Sequence, residues 1–272
     1  MSQTQRPSPD PEPTLGLEGT WNDRDVASLT GIKPGVLVRS AALHSLSQND
    51  LLYLAELGLT DVIDLRSARE VVRDGEDLLP LGADIHPLPI TAGAQLPGAV
   101  ASATQSGSGQ HIEAALAGLA QLISSGDAEA QLNAFMADTY AAIVSDPASQ
   151  AQLGHGIRVI AHGTGAALVH CAAGKDRTGL LVAIALRTVG VAEEAIEADY
   201  LESNRHADLQ GSVASLPGID PGLLAPLRGV SLVSLHAAWA AIEAAFSTWD
   251  EFLTALDVSE TDRDALKQRL QR

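Results

Sequence analysis

Residues 166–190, AALVHCAAGKDRTGLLVAIALRTVG, set an apolar run, a stretch of small and charged residues, and a helical pattern closed by Gly190 directly in series. AALVH is too short for a helix and reads as a strand buried on both faces, a pattern that belongs to parallel sheets covered by helices. CAAGKD must then turn from the carboxyl end of that strand into the first turn of a helix starting near Arg177. A chain that contains such a unit is constrained to an α/β sheet, and in such sheets ligands bind at the carboxyl ends of the strands.

The rest of the chain repeats the alternation. GVLVRSA (35–41) predicts a second buried strand, QNDLLYLAEL a helix capped by Ser47 and closed by Gly58, and TDVIDLRS a third strand ending in charges. ADIHPLPI (83–90) is a weaker strand, confined by Pro87 and Pro89 to a sheet edge or a loop. Residues 127–162 read as mostly helical. After the loop helix come AEEAIEADYLESN, a Pro- and Gly-broken stretch (211–230), the helix SLVSLHAAWAAIEAAF, and a last helix opened by Ser259 and Asp262 as a capping box. The expected fold is α/β, with a mainly parallel central sheet flanked by helices. Residues 1–14, with prolines at 7, 9, 11 and 13, predict a disordered tail, and 15–272 a single domain. Within it, the Ala-, Gly-, Ser- and Gln-rich residues 91–127 are too long for a structureless loop and predict a helical lid insertion.

Carboxylates outnumber lysines and arginines 34 to 17, giving a net charge of −17. Such a surface repels nucleic acid and anionic membranes, and no run of basic residues offsets it. No apolar run approaches a membrane span, so no stable membrane insertion is expected. MSQTQRPSPD lacks the regions of a secretory signal; the cytoplasm is the default location, with signal-less export left open. The one cysteine, Cys171, has no partner for an internal disulfide, and one of only three lysines, Lys175, lies four residues after it.

That company gives the thiol a task. A loop turning over a helix N-terminus gathers backbone N–H groups into a concavity that, with the helix dipole behind it, suits a phosphate-like anion. Gly174 permits close backbone approach. The same positive field, with Lys175 and Arg177, holds Cys171 in its ionised, nucleophilic form. Arg177 can fork two N–H donors onto two phosphoryl oxygens, and Thr178 can offer its hydroxyl to the thiolate. His170 fits a role in orienting the loop. Ala172, Ala173 and Gly174 supply cradle backbone. Asp176, inside the cradle, is a carboxyl group close enough to protonate a leaving oxygen.

HCAAGKDRTG resembles the signature loop of the cysteine-dependent protein tyrosine phosphatase superfamily. The Lys-Asp pair within it is similar to that of the atypical bacterial members acting on phosphotyrosine and often on phosphoserine, phosphothreonine or phosphoinositides. GTWNDRDVA (19–27), GVLVRSAAL, LGLTDVIDLRSAREV and EADYLESN are similar to further segments of that family. The resemblance implies a nucleophilic Cys171, a phosphate-binding Arg177, a substrate-side Lys175, a substrate contact from Arg69, a phosphorylated protein or phosphoinositide substrate, and inorganic phosphate as product. Ala172 stands where a better-known member of the family has a bulky aromatic, and PLPITAGAQLPG lacks the acidic residue that the family tends to carry after its Leu-Pro, so the resemblance leaves Asp176 as the carboxyl group close enough to act as general acid.

Asp64 and Arg66 close a buried strand and read equally as substrate contacts or as a structural ion pair. Arg69, Glu70 and Arg73 recur at helical spacing, which predicts a solvated face. Asp138 reads as solvent-facing or capping, with a remote acid as the alternative, and Asp199, Ser203 and Asn204, which match a helix of the resembled family, read as packing. No histidine pair beside a carboxylate suggests a metal, and no cofactor is implied. A phosphatase is the leading expectation; the alternatives are a catalytically silent phospho-recognition module and a rhodanese-like sulfurtransferase.

Overall fold

The computed structural model describes residues 14–92, 128–209 and 228–271. The segment expected to be a lid, apart from Thr91 and Ala92, lies outside the described residues, as do residues 1–13 of the expected tail and most of 211–230. The elements are β1 (Arg24–Asp25), α1 (Ala27–Thr30), β2 (Leu37–Ser40), α2 (Gln48–Glu56), β3 (Leu59–Asp64), α3 (Ala68–Asp74), β4 (Asp84–Pro87), α4 (Ala128–Ser145), α5 (Pro147–His162), β5 (Ala166–His170), α6 (Asp176–Thr188), α7 (Glu193–Glu202), a 3-10 turn (Ser203–Leu209), α8 (Leu232–Ala245), α9 (Trp249–Ala255) and α10 (Glu260–Leu270).

The sheet order is β1-β2-β5-β3-β4, parallel throughout except for the antiparallel edge pair β1–β2. The α/β expectation holds, and β4 is an edge strand as its prolines require. Alternation along β5 explains why it reads as continuously apolar. Ala167, Val169 and, just beyond the strand, Cys171 join the larger core with Leu37 and Ile63, while Ala166 and Leu168 join the smaller one with Val38, Val62 and Leu54 of α2. Each large side chain so buried stabilises the fold by about 1.5–3 kcal/mol relative to exposure. Ser40, His170 and Asp64 pair in register across β2, β5 and β3, so three strands end level beneath the loop.

The helical stretch 127–162 divides at Asp146, which accepts from Ser149 N at 2.8 Å, with Pro147 in the first turn where its missing N–H costs nothing. Ser47 caps α2 as expected, within a capping box completed by Asp50, and the predicted capping box of α10 forms. Three short elements escape the sequence pattern: β1, α1 and α9 are too brief to show a period. No helix among the described residues is long and apolar enough to cross a membrane.

Candidate active site

Cys171 leaves β5 at the level of the strand ends and is buried, at 2% exposure. The carbonyls of the four residues that follow are all fastened to the surrounding scaffold. Ala172 O accepts from Ala42 N (3.2 Å) and Ala173 O from Asn22 Nδ2 (3.3 Å). Gly174 O accepts from Asn22 Nδ2 (2.9 Å) and Arg39 Nη2 (2.8 Å), and Lys175 O from Arg39 Nη2 (3.3 Å). A trans peptide points its N–H opposite to its carbonyl. Tying these oxygens outward therefore turns the N–H groups of Ala173, Gly174, Lys175 and Asp176 the other way, at the N-terminus of α6. Those of Ala173 and Gly174 meet no acceptor among the described residues.

The residues doing the fastening are held in turn. Arg24 Nε and Arg39 Nη1 donate to opposite oxygens of Asp199, at 2.9 and 2.6 Å, and Arg24 Nη1 donates to Asn22 Oδ1 at 2.5 Å. Arg24, Arg39 and Asp199 are all buried. Burial alone would drive the Asp199 carboxyl up, but the two arginine charges outweigh it and hold it below the usual carboxylate range. Asn22 takes a left-handed φ of 56°, which asparagine tolerates better than most residues. Asp199 and Ser203, read from sequence as packing residues, thus belong to the support of the loop.

Arg177 is clasped by Glu70. Nη1 donates to Glu70 Oε2 (2.8 Å) and Leu65 O (3.1 Å), and Nη2 to Glu70 Oε1 (2.5 Å). The Nε–H and the second Nη2–H have no acceptor among the described residues, so the side-on edge of the guanidinium remains for a bidentate partner. Burial opposes the Arg177 charge, yet Cys171, Glu70 and Asp176 together hold its pKa above the ordinary arginine value. Burial likewise opposes the charge on Glu70, but the hydrogen bonds and charge of Arg177, with Ser67, lower its carboxyl to about 2. The pair stays ionised through any working pH. Glu70 is therefore not part of a solvated face, as helical spacing suggested; Arg69 and Arg73 are exposed.

Asp64 and Arg66 form the structural pair, one of their two readings. Arg66 Nη2 bridges Asp64 Oδ2 (2.9 Å) and Asp77 Oδ2 (2.8 Å), and Nη1 donates to Gly75 O, so neither residue faces the cradle. His170 sits against this cluster, with Nδ1 3.3 Å from Cys171 O and Nε2 3.1 Å from Asp77 Oδ2, the latter at an angle outside hydrogen-bond geometry. Asp64, Asp77 and His170 place potential ligand atoms within 4.8 Å of one another, but Arg66 already neutralises both carboxylates. Lys175 is also not turned to the cradle: its ammonium donates to Arg228 O (3.0 Å) and Gly229 O (3.3 Å) and lies 3.8 Å from Asp176 Oδ2. Asp176 is partly exposed in the first turn of α6, where Tyr140 donates to its Oδ1 at 3.0 Å. Thr178 Oγ1 is buried with no hydrogen-bond partner among the described residues. Asp138 is exposed on α4.

Residues 15–272 match the tyrosine phosphatase family. The chain belongs to that family. As a tyrosine phosphatase it is similar to the triple specificity protein phosphatase PtpB of Mycobacterium tuberculosis, 38% identical over 196 residues that cover 69% of this chain and 68% of the relative. A protein of Cupriavidus necator assigned as a tyrosine-protein phosphatase is 32% identical over 254 residues, 90% of this chain and 84% of that one. A tyrosine-protein phosphatase of Nostoc commune is 34% identical over 130 residues, 42% of each chain.

Gly174 gives this phosphatase a sharp test of its cradle. Its φ is +65°, and an added Cβ would stand 2.1 Å from Ser40 O and 2.7 Å from Ala41 N, backbone atoms of the neighbouring strand end. Gly174→Ala is expected to cost about 1–3 kcal/mol of stability and to lower the phosphatase rate together with it. Urea unfolding and p-nitrophenyl phosphate turnover measure the two effects; an unchanged midpoint would mean the loop is free to move.

Proposed function

We propose that this phosphatase hydrolyses phosphate monoesters of proteins, and of phosphoinositides, through a phosphocysteine intermediate. The outward fastening of four successive carbonyls beside Cys171 is the observation that carries the reading, because it leaves an array of N–H donors next to a sulfur nucleophile. In the first step the Cys171 thiolate attacks phosphorus, the S–P bond forms, and the ester P–O bond breaks. Asp176 gives its proton to the departing oxygen. The N–H groups of the loop and the free edge of Arg177 hold the three equatorial oxygens as charge redistributes. In the second step water attacks phosphorus, Asp176 takes its proton, and the S–P bond breaks to release inorganic phosphate and the thiolate. The Thr178 hydroxyl, which has no partner among the described residues, supports the departing sulfur.

The relative named a triple specificity phosphatase supports a substrate range wider than phosphotyrosine. Half-buried Ala172 supports the same breadth, since a methyl group beside the nucleophile walls off less space than a ring. A silent recognition module would have no use for Cys171 beside Arg177. Rapid acid quench during p-nitrophenyl phosphate turnover should show a phosphoryl adduct on Cys171 by mass spectrometry; turnover with no adduct in the steady state or in single-turnover traces would reject the mechanism. A rate panel of phosphotyrosine peptide, phosphothreonine peptide and phosphoinositides then ranks the substrates.

The acid role has its own measurement. A general acid matters most when the leaving oxygen is a poor leaving group and contributes about 10²–10⁴-fold there. Asp176→Asn is expected to slow alkyl phosphates by about 10²-fold or more and p-nitrophenyl phosphate far less. Equal slopes of log rate against leaving-group pKa in wild type and variant would remove Asp176 from the role.

A further inference from the structure

Tyr140 and Tyr200 are buried phenols that the mechanism above does not use. Tyr140 projects from α4 and Tyr200 from α7, with rings edge-to-face at 89° and centroids 6.3 Å apart. The Tyr200 hydroxyl donates to the Tyr140 oxygen at 2.7 Å, and the Tyr140 hydroxyl donates to Asp176 Oδ1 at 3.0 Å. Tyr140 and Tyr200 are 0% and 1% exposed, whereas the Asp176 side chain keeps a quarter of its surface open. The chain of hydroxyls therefore starts in the core and ends on the Asp176 carboxylate, in the first turn of α6.

The direction of that chain is fixed at its carboxylate end. An ionised carboxylate can only accept, so the Tyr140 proton goes to Asp176 and the Tyr140 oxygen is left to accept the Tyr200 proton. Burial first, then the negative charge of Asp176, pushes the Tyr140 phenol well above its usual range, so it remains a neutral donor. The other charged or titratable groups near Asp176 are Lys175, 3.8 Å from Oδ2, and Arg177 and Cys171 at the cradle.

We infer that Tyr140 is a positioning residue for proton transfer: by occupying Oδ1 it makes Oδ2 the oxygen that carries the proton to the leaving group, and Tyr200 sets the Tyr140 hydroxyl for that task. The inference rests on Asp176 being the acid. It also assigns α4 a direct hold on the chemistry, from a helix that contributes nothing to the loop itself.

The test is a leaving-group series, from substituted phenyl phosphates to an alkyl phosphate, run on wild type, Tyr140→Phe, Tyr200→Phe, the double variant and Asp176→Asn. Phenylalanine keeps the buried rings and removes only the hydroxyls. Tyr140→Phe should lower kcat by about tenfold for the alkyl phosphate and by markedly less for p-nitrophenyl phosphate, with KM little moved, because orientation of the acid is lost and not the acid itself. Tyr200→Phe should act in the same direction more weakly, and adding it to Tyr140→Phe should bring no further loss. An equal loss for every substrate, or additive effects of the two changes, would show that the tyrosines only support packing. If Asp176→Asn steepens the slope and Tyr140→Phe does not, the tyrosine assignment alone falls. If Asp176→Asn leaves the slope unchanged, the acid assignment falls with it.

Discussion

Replacing Cys171 by serine is expected to bring turnover of every phosphomonoester below detection while leaving folding and phosphate binding in place. Serine is close to isosteric with cysteine, and the side chain sits at the edge of the larger core at 2% exposure, so the packing change is small. The chemical change is large. A hydroxyl needs a base to become a nucleophile. His170, the neighbouring imidazole, has its Nδ1 against Cys171 O and its Nε2 against Asp77, turned away from the nucleophile. The loop N–H groups and the free edge of Arg177 remain, so phosphate or vanadate should still bind. Isothermal titration and p-nitrophenyl phosphate assays of the same preparation decide the matter, and sustained multiple turnover by the serine variant would reject a phosphocysteine route.

Arg177→Lys is expected to cost about 10³-fold or more in kcat/KM, roughly 4 kcal/mol of transition-state stabilisation, even though the charge survives. The guanidinium performs two tasks at once. One edge is spent on Glu70 and Leu65 O, which fixes its orientation, and the remaining edge presents two parallel donors. An ammonium is a single point of charge and cannot satisfy Glu70 and a phosphoryl group in the same geometry. Its removal from the clasp also leaves the Glu70 carboxylate beside an incoming dianion without the guanidinium that neutralised it. Steady-state kinetics on p-nitrophenyl phosphate measure the loss, and a variant within tenfold of wild type would reduce the arginine to a structural ion.

The residues that carry the phosphatase loop were legible because the local signals agree: a strand apolar on both faces, a glycine that must take positive φ, and a helix whose first turn begins at the loop. β4 was legible as an edge for the same local reason, its prolines. Glu70 was not. It pairs with a residue 107 positions away, and at helical spacing beside Arg69 and Arg73 nothing distinguishes it from a solvated carboxylate. Asp77 sits in a loop with no period at all, so its ties to Arg66 and His170 leave no trace in the sequence. Asn22 and Arg39 stand within segments similar to the family, yet their partners are backbone carbonyls, which every residue type possesses and which no motif can spell. Lys175 was read toward substrate because cations in an anion loop suggest that use; the carbonyls of Arg228 and Gly229 compete for it instead. Tyr140 lies among apolar neighbours on α4 and Tyr200 one turn after Ile196 on α7, and a phenol at either place looks like filling until its hydroxyl partner is seen.

The fastened carbonyls also mean that the ten residues of the signature are not portable. HCAAGKDRTG has no cradle of its own; its shape is imposed by Asn22 and Arg39 through backbone oxygens, and those two are steadied by Arg24, Asp199 and Ser203. A peptide of that sequence, or the same loop grafted onto another strand and helix, would keep every chemical group and lose the arrangement that makes them an anion site. A proteolytic nick that released the segment holding Asn22 would silence the phosphatase with the nucleophile untouched.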